Sequence, residues 1–201
     1  LMLESLLPVG ESSAVGVEAM RTKMFEQLDA FYMLLKADPG RLQATISLGI
    51  YAHNGAEYVE GMLGAWRARV APFNVNYRYV EAELEHIFTD SGMKVLIHER
   101  SFAGRVCNTL PKAPDLEYRV VIEDGSDEDL CCAGHSDAIR FEEAIAASST
   151  ERDFGERSDD DLYMLYTGGT TGKPKGVVWR QEDVWRVLGG GIDWYTSEPV
   201  P

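Results

Sequence analysis

The strongest constraint on the fold is a rhythm that begins at Ile46. Short apolar runs at 46–52, 71–75, 94–98, 118–123 and 162–166 read as strands. Between them, 56–70, 80–91, 102–110 and 137–147 carry apolar residues at helical spacing, with Asn54 and Ser136 as the expected caps of the first and last of these helices. A strand, a helix and a further strand in succession form a right-handed crossover. The pattern therefore specifies an α/β fold, a mainly parallel sheet with flanking helices. Upstream, 1–45 reads separately, as an arm carrying Leu1, Leu3, Leu6 and Leu7, a Gly/Ser-rich turn, and a helix over 18–36 that stops at Asp38-Pro39-Gly40. The apolar stripe of that helix, from Met20 through Met24 and Leu28 to Phe31, is a core-packing face. The chain thus divides into an N-terminal arm and helix (1–45) and a main domain (46–201).

The last strand runs into Tyr166-Thr167-Gly168-Gly169-Thr170-Thr171-Gly172-Lys173-Pro174-Lys175-Gly176, and a second short apolar run follows at 177–179. This stretch reads as a loop between two strands. Its glycines let backbone N–H groups approach a ligand without interference from Cβ. Thr167, Thr170 and Thr171 add hydroxyls, and Lys173 and Lys175 add positive charge. Free N–H groups, hydroxyls and lysines together make an anion-binding concavity suited to a polyphosphate. The Walker-type loop G-x-x-x-x-G-K-[ST] is excluded at two positions. Thr167 occupies the place of its first glycine, and Pro174 that of its Mg²⁺-binding Ser/Thr. Pro174 also pushes the preceding residue out of the α region, so no helix starts there in the Walker manner. An ordinary Gly/Thr-rich hairpin loop is the plainer alternative.

The segment from Met164 to Lys175 resembles the signature loop of the adenylate-forming superfamily, which includes acyl-CoA synthetases, nonribosomal adenylation domains and luciferases. That motif is an apolar residue, two free positions, then Thr/Ser-Ser/Gly-Gly-Thr-Thr-Gly-x-Pro-Lys, and Gly168 stands where serine is commoner. Residues 50–97 add a resemblance to the acyl-CoA synthetase branch, in Tyr51-Ala52-His53-Asn54, Met62-Leu63-Gly64-Ala65-Trp66, Pro72-Phe73-Asn74-Val75-Asn76-Tyr77-Arg78 and Asp90-Ser91-Gly92. The resemblance implies a partial AMP-binding domain over 46–201. It implies activation of a carboxylic acid by ATP and Mg²⁺ through an acyl-adenylate, followed by transfer to coenzyme A. It also assigns roles. Lys175 would neutralise the pyrophosphate leaving group, Thr167, Thr170 and Thr171 would supply hydroxyls, and Gly168, Gly169 and Gly172 backbone N–H groups. The loop followed by Trp179-Arg180-Gln181-Glu182-Asp183 resembles members acting on long-chain or steroid-type fatty acids. In the family the adenine and ribose motifs, the Mg²⁺-binding glutamate, the interdomain hinge and a second catalytic lysine lie further downstream. The 201 residues alone are therefore expected to fall short of adenylation. The alternatives are a non-catalytic remnant or interaction module that keeps the loop and associates through exposed faces, and an adenylation domain for amino acids.

Composition narrows the partners. A net charge of −14 excludes a general nucleic-acid binder, which needs clustered Lys and Arg. No apolar run reaches transmembrane length and no secretory leader is expected. Cys107, Cys131 and Cys132 are too few and too badly placed for a disulfide framework, so a reduced, cytoplasmic setting is expected. Cys131, Cys132 and His135 lack a second pair at zinc spacing, so no metal site is expected. His53, at a strand end, is either a plain loop residue or one that touches substrate. His86 and His98 read as satisfied surface or core histidines. Leu1 at the start and Pro199-Val200-Pro201 at the end suggest an N-terminal fragment of a longer protein.

Overall fold

The computed structural model describes residues 47–130, 132, 138–148, 158–168 and 172–188. The arm and helix expected over 1–45 lie outside the described residues. Strands β1 (Ser47–Tyr51), β2 (Ala71–Asn74), β3 (Val95–Glu99), β4 (Tyr118–Ile122), β5 (Ile139–Arg140), β6 (Leu162–Thr167) and β7 (Lys175–Arg180) form one sheet, in the order β5-β4-β3-β1-β2-β6-β7. Every neighbouring pair is parallel except β6 and β7, which are antiparallel. The helices are α1 (Ala56–Arg67), α2 (Glu81–Ser91), α3 (Ala103–Thr109), α4 (Phe141–Ala146) and α5 (Gln181–Leu188). The expected mainly parallel α/β architecture is what the chain adopts.

β1 shows why. All five of its residues, Ser-Leu-Gly-Ile-Tyr, are buried, as an apolar run must be in a central strand covered on both faces. Leu48 and Ile50 pack with Ala65 of α1, Ile97, Val120 and Phe141 of α4 on one face. Tyr51 and Phe73 pack on the other with Leu84, Ile87 and Phe88 of α2, Leu96 and Val106 of α3. Gly61 lets α1 sit this close, because a Cβ there would come within 2.9 Å of Ile97 Cδ1 and 3.3 Å of Ile50 Cδ1. Gly61→Val should therefore lower stability by about 2 kcal/mol through overpacking. The urea unfolding midpoint measures this, and an unchanged midpoint would show that α1 does not rest on β1 in this way.

Several local expectations are corrected. The residue entering α1 is Gly55 rather than Asn54, in extended backbone and with no side-chain cap. The helix ends at Arg67, short of Val70, because Arg69 turns the chain at φ 59° while its Nε donates to Asp161 Oδ1 at 2.7 Å. That ion pair ties the exit of α1 to the start of β6. The helix expected over 137–147 begins only at Phe141, because Ile139 and Arg140 are taken as a short parallel strand by Val120 and Val121 of β4. Its proposed cap, Ser136, lies outside the described residues. The cysteine reading is overturned as well: Cys107 of α3 is disulfide-bonded to Cys132, 25 residues on, with Cα atoms 5.1 Å apart. α3 carries Cys107 to the loop that follows β4, a proximity that spacing along the chain does not show. Cysteine placement therefore no longer argues for a reduced compartment. No helix among the described residues is long and apolar enough to cross a membrane.

Candidate functional site

In an open parallel sheet, ligands bind beyond the carboxyl ends of the strands, where the strand order reverses. Here β1 lies between β2 and β3, so the chain moves one way from β1 to β2 and then returns across β1 to β3. At that reversal His53, two residues beyond β1, meets Glu99, the last residue of β3. His53 Nδ1 is 2.6 Å from Glu99 Oε2, and its backbone N–H donates to Glu99 Oε1 at 2.8 Å. The imidazole lies against Tyr77 and Phe102, with ring centroids at 4.5 and 5.4 Å. His53 is thus a fixed, half-exposed ring on the ligand-facing edge of the sheet, held by a carboxylate that no local motif reveals.

The Gly/Thr loop leaves from the same edge, two strands away from β1. β6 and β7 join through residues 168–174, and the register sets Thr167 directly opposite Lys175 at the mouth. Thr167, Gly168, Gly172, Lys173 and Lys175 are exposed, while Pro174 is half-buried. Gly169, Thr170 and Thr171 lie outside the described residues. Among the described residues, neither lysine makes an ion pair. Of the site residues expected from the sequence, the structure therefore sets Thr167 and Lys175 face to face, with Gly168 and Gly172 inside the loop they close.

The base of the loop is built rather than merely exposed. Tyr166 turns its ring onto Phe73, centroids 5.3 Å apart, and its hydroxyl donates to Asp90 Oδ2 of α2 at 2.9 Å. Burial, and then the hydrogen bond to Asp90, hold this phenol far above its ordinary range, so it remains a protonated donor. The ring also covers its cross-strand partner. A Cβ on Gly176 would meet Tyr166 Cζ at 3.0 Å and its hydroxyl oxygen at 3.2 Å. Gly176 is thus glycine for the sake of Tyr166. One turn before Asp90, His86 Nε2 lies 2.7 Å from the Pro174 carbonyl oxygen. A carbonyl only accepts, so Nε2 carries the proton and donates. His86 is thus a satisfied histidine, as the sequence suggests, but its partner is the carbonyl that precedes Lys175. The one available signal was its four-residue spacing from Asp90, which puts both on one stripe of α2.

The strand beyond the loop is open to solvent. The apolar run at 177–179 forms the expected strand, β7, and every residue of it is exposed, including Val177, Val178 and Trp179. Among the described residues no three His, Cys, Asp or Glu side chains converge as a metal site would require. Cys131 and His135 lie outside them.

Residues 39–196 match the family model described as AMP-binding enzyme. A 3-oxocholest-4-en-26-oate–CoA ligase of Rhodococcus rhodochrous is 55% identical over 153 residues, which are 76% of this chain and 27% of the relative. A medium/long-chain-fatty-acid–CoA/3-oxocholest-4-en-26-oate–CoA ligase of Mycolicibacterium smegmatis is 52% identical over the same length and shares of the two chains. The chain spans about a quarter of the length of the curated relatives it matches. Among solved structures, an anthranilate CoA ligase in complex with anthranoyl-AMP superimposes with a TM-score of 0.71 at 22% identity, over 85% of this chain and 32% of that one. At that identity the superposition speaks for the fold alone.

Proposed function

The chain belongs to the AMP-binding enzyme family, and on that premise we propose that its β6–β7 loop is the pyrophosphate-binding element of an ATP-dependent acyl-CoA ligase. The observation that carries this reading is Lys175, exposed opposite Thr167 at the mouth of the loop and without an ion-pair partner among the described residues. A carboxylate attacks the α-phosphorus of ATP, the bond to the β,γ-pyrophosphate breaks, and an acyl-adenylate forms. The coenzyme A thiol then attacks the acyl carbon and AMP leaves. Thr167, Thr170 and Thr171 give hydroxyls to the phosphates, Gly168, Gly169 and Gly172 give backbone N–H groups, and Lys175 takes up the charge that moves onto pyrophosphate. Mg²⁺ arrives with the nucleotide. Residues 46–201 are the contributing part of the AMP-binding domain, and 1–45 a separate arm.

The relatives named above act on medium- and long-chain fatty acids and on a steroid-derived carboxylate, which favours a long apolar acid as substrate. The test is to express the open reading frame that encodes this chain and supply palmitate or 3-oxocholest-4-en-26-oate with MgATP and coenzyme A. The expected products are acyl-CoA, AMP and pyrophosphate in equal amounts. Release of ADP and inorganic phosphate, or acyl-CoA formation independent of ATP, would overturn the assignment.

A further inference from the structure

We infer that α2 positions Lys175 for pyrophosphate, through His86 and through Asp90 acting on Tyr166. This rests on the reading of the β6–β7 loop just given and names the residues that make the loop competent. The carbonyl that His86 grips belongs to Pro174, and that carbonyl shares a rigid peptide plane with the Lys175 nitrogen. A 2.7 Å hydrogen bond from His86 Nε2 to this oxygen therefore orients the plane from which the lysine springs. On the other side, Gly176 is covered by the Tyr166 ring, which Phe73 supports at 5.3 Å and Asp90 anchors at 2.9 Å. The residue before Lys175 and the residue after it are thus both held by the same stripe of α2, one helical turn apart.

α2 is a firm support for this. Leu84, Ile87 and Phe88 are buried in the core beneath it, so its opposite stripe is fixed relative to the sheet. β7 has no such foundation. It is exposed along its whole length, and among the described residues β6 is its only strand partner. Without the contacts from α2, the orientation of Lys175 would depend, among the described residues, mainly on the β6–β7 pairing. A long, rotamer-rich lysine gains affinity for an anion when its backbone origin is fixed, because less freedom is lost on binding. His86 and Asp90 touch no substrate in this scheme. They are positioning residues.

Calorimetric titration of the full chain with inorganic pyrophosphate tests this. The expected result is that Lys175→Ala and His86→Leu each weaken binding by roughly tenfold. His86→Gln, whose amide nitrogen stands where Nε2 does, should keep affinity near that of the parent. The deciding measurement is the double variant His86→Leu/Lys175→Ala. It should bind no more weakly than Lys175→Ala alone, because His86 acts through the lysine. Additive losses in the double variant, or parental affinity in His86→Leu, would overturn the positioning role while leaving the loop assignment intact. Absence of pyrophosphate binding by the parent, or indifference to Lys175→Ala, would instead remove the loop assignment and this inference with it. Unfolding midpoints of the variants identify a loss of affinity that comes from lost structure, and a His86→Leu loss explained that way counts against the proposal.

Discussion

On the proposed reading of the loop, Lys175→Ala in the intact protein should slow acyl-adenylate formation by roughly 10²–10³-fold, the loss typical of removing one preorganised group that meets charge as it develops. The fold should survive. Lys175 is exposed on β7, makes no ion pair among the described residues, and lies outside both core clusters. Lys173 is the internal control. It is equally exposed but sits within the loop rather than opposite Thr167. Its alanine variant should lose about tenfold or less, the scale of an exposed charge that is not locked in place. ATP–pyrophosphate exchange measures both variants without coenzyme A. A Lys175→Ala rate within about threefold of the parent would remove the lysine from the mechanism.

The parts of this site that could be read in advance are those whose physics is local. The Gly/Thr loop announces itself because backbone exposure, hydroxyls and lysines must all come from one continuous segment. β1 announces itself because a strand buried on both faces must be apolar throughout. What supports the loop could not be read, because each support joins residues far apart in the chain. Tyr166 and Asp90 are 76 residues apart, His86 and Pro174 88, and His53 and Glu99 46. Apart from the four-residue spacing of His86 and Asp90, nothing in the local sequence marks any of these residues as a partner in such a contact. Cys107 and Cys132 were dismissed on spacing and are nonetheless joined, since α3 and the loop after β4 are brought together by the sheet. β5 was missed because a two-residue strand has no periodicity to detect. Gly55 displaced Asn54 at the start of α1 because backbone geometry, rather than a side-chain cap, ends the turn there.

The two features of the ligand-facing edge also differ in kind. At the reversal of strand order, a carboxylate holds an imidazole among aromatic rings. Two strands away, the loop mouth is cationic and bare.

The stability of the domain should fall as pH drops from about 6.5 to about 4, and His98 should be the main cause. His98 is fully buried on β3, where Tyr51 of β1 and Val121 of β4 are its register partners. Its Nδ1 donates to the Glu99 carbonyl at 2.8 Å, which leaves Nε2 as an unprotonated atom with no hydrogen-bond partner among the described residues. Burial pushes its pKa down from 6.5 to about 4; the Glu99 carbonyl opposes that and the Arg119 charge adds to it, while Asp124 pulls weakly the other way. The folded state therefore holds a neutral ring at pH values where the unfolded chain has already taken up a proton. The contribution is fully present above 6.5 and is lost as pH falls towards 4, at about 1.4 kcal/mol per unit, on the order of 3 kcal/mol in all. Asp124 and Glu123 sit nearby but do not supply this slope. Both are held below the usual carboxylate range, Asp124 because hydrogen bonds from Ser101 and Ser126 outweigh its burial, and Glu123 because Arg100 binds it. Their protonation accordingly belongs to lower pH. Urea unfolding at pH 7 and pH 4.5 should show the decline in the parent, and His98→Leu, which has no ring to protonate, should flatten it. An equal decline in both proteins would place the acid sensitivity elsewhere in the chain.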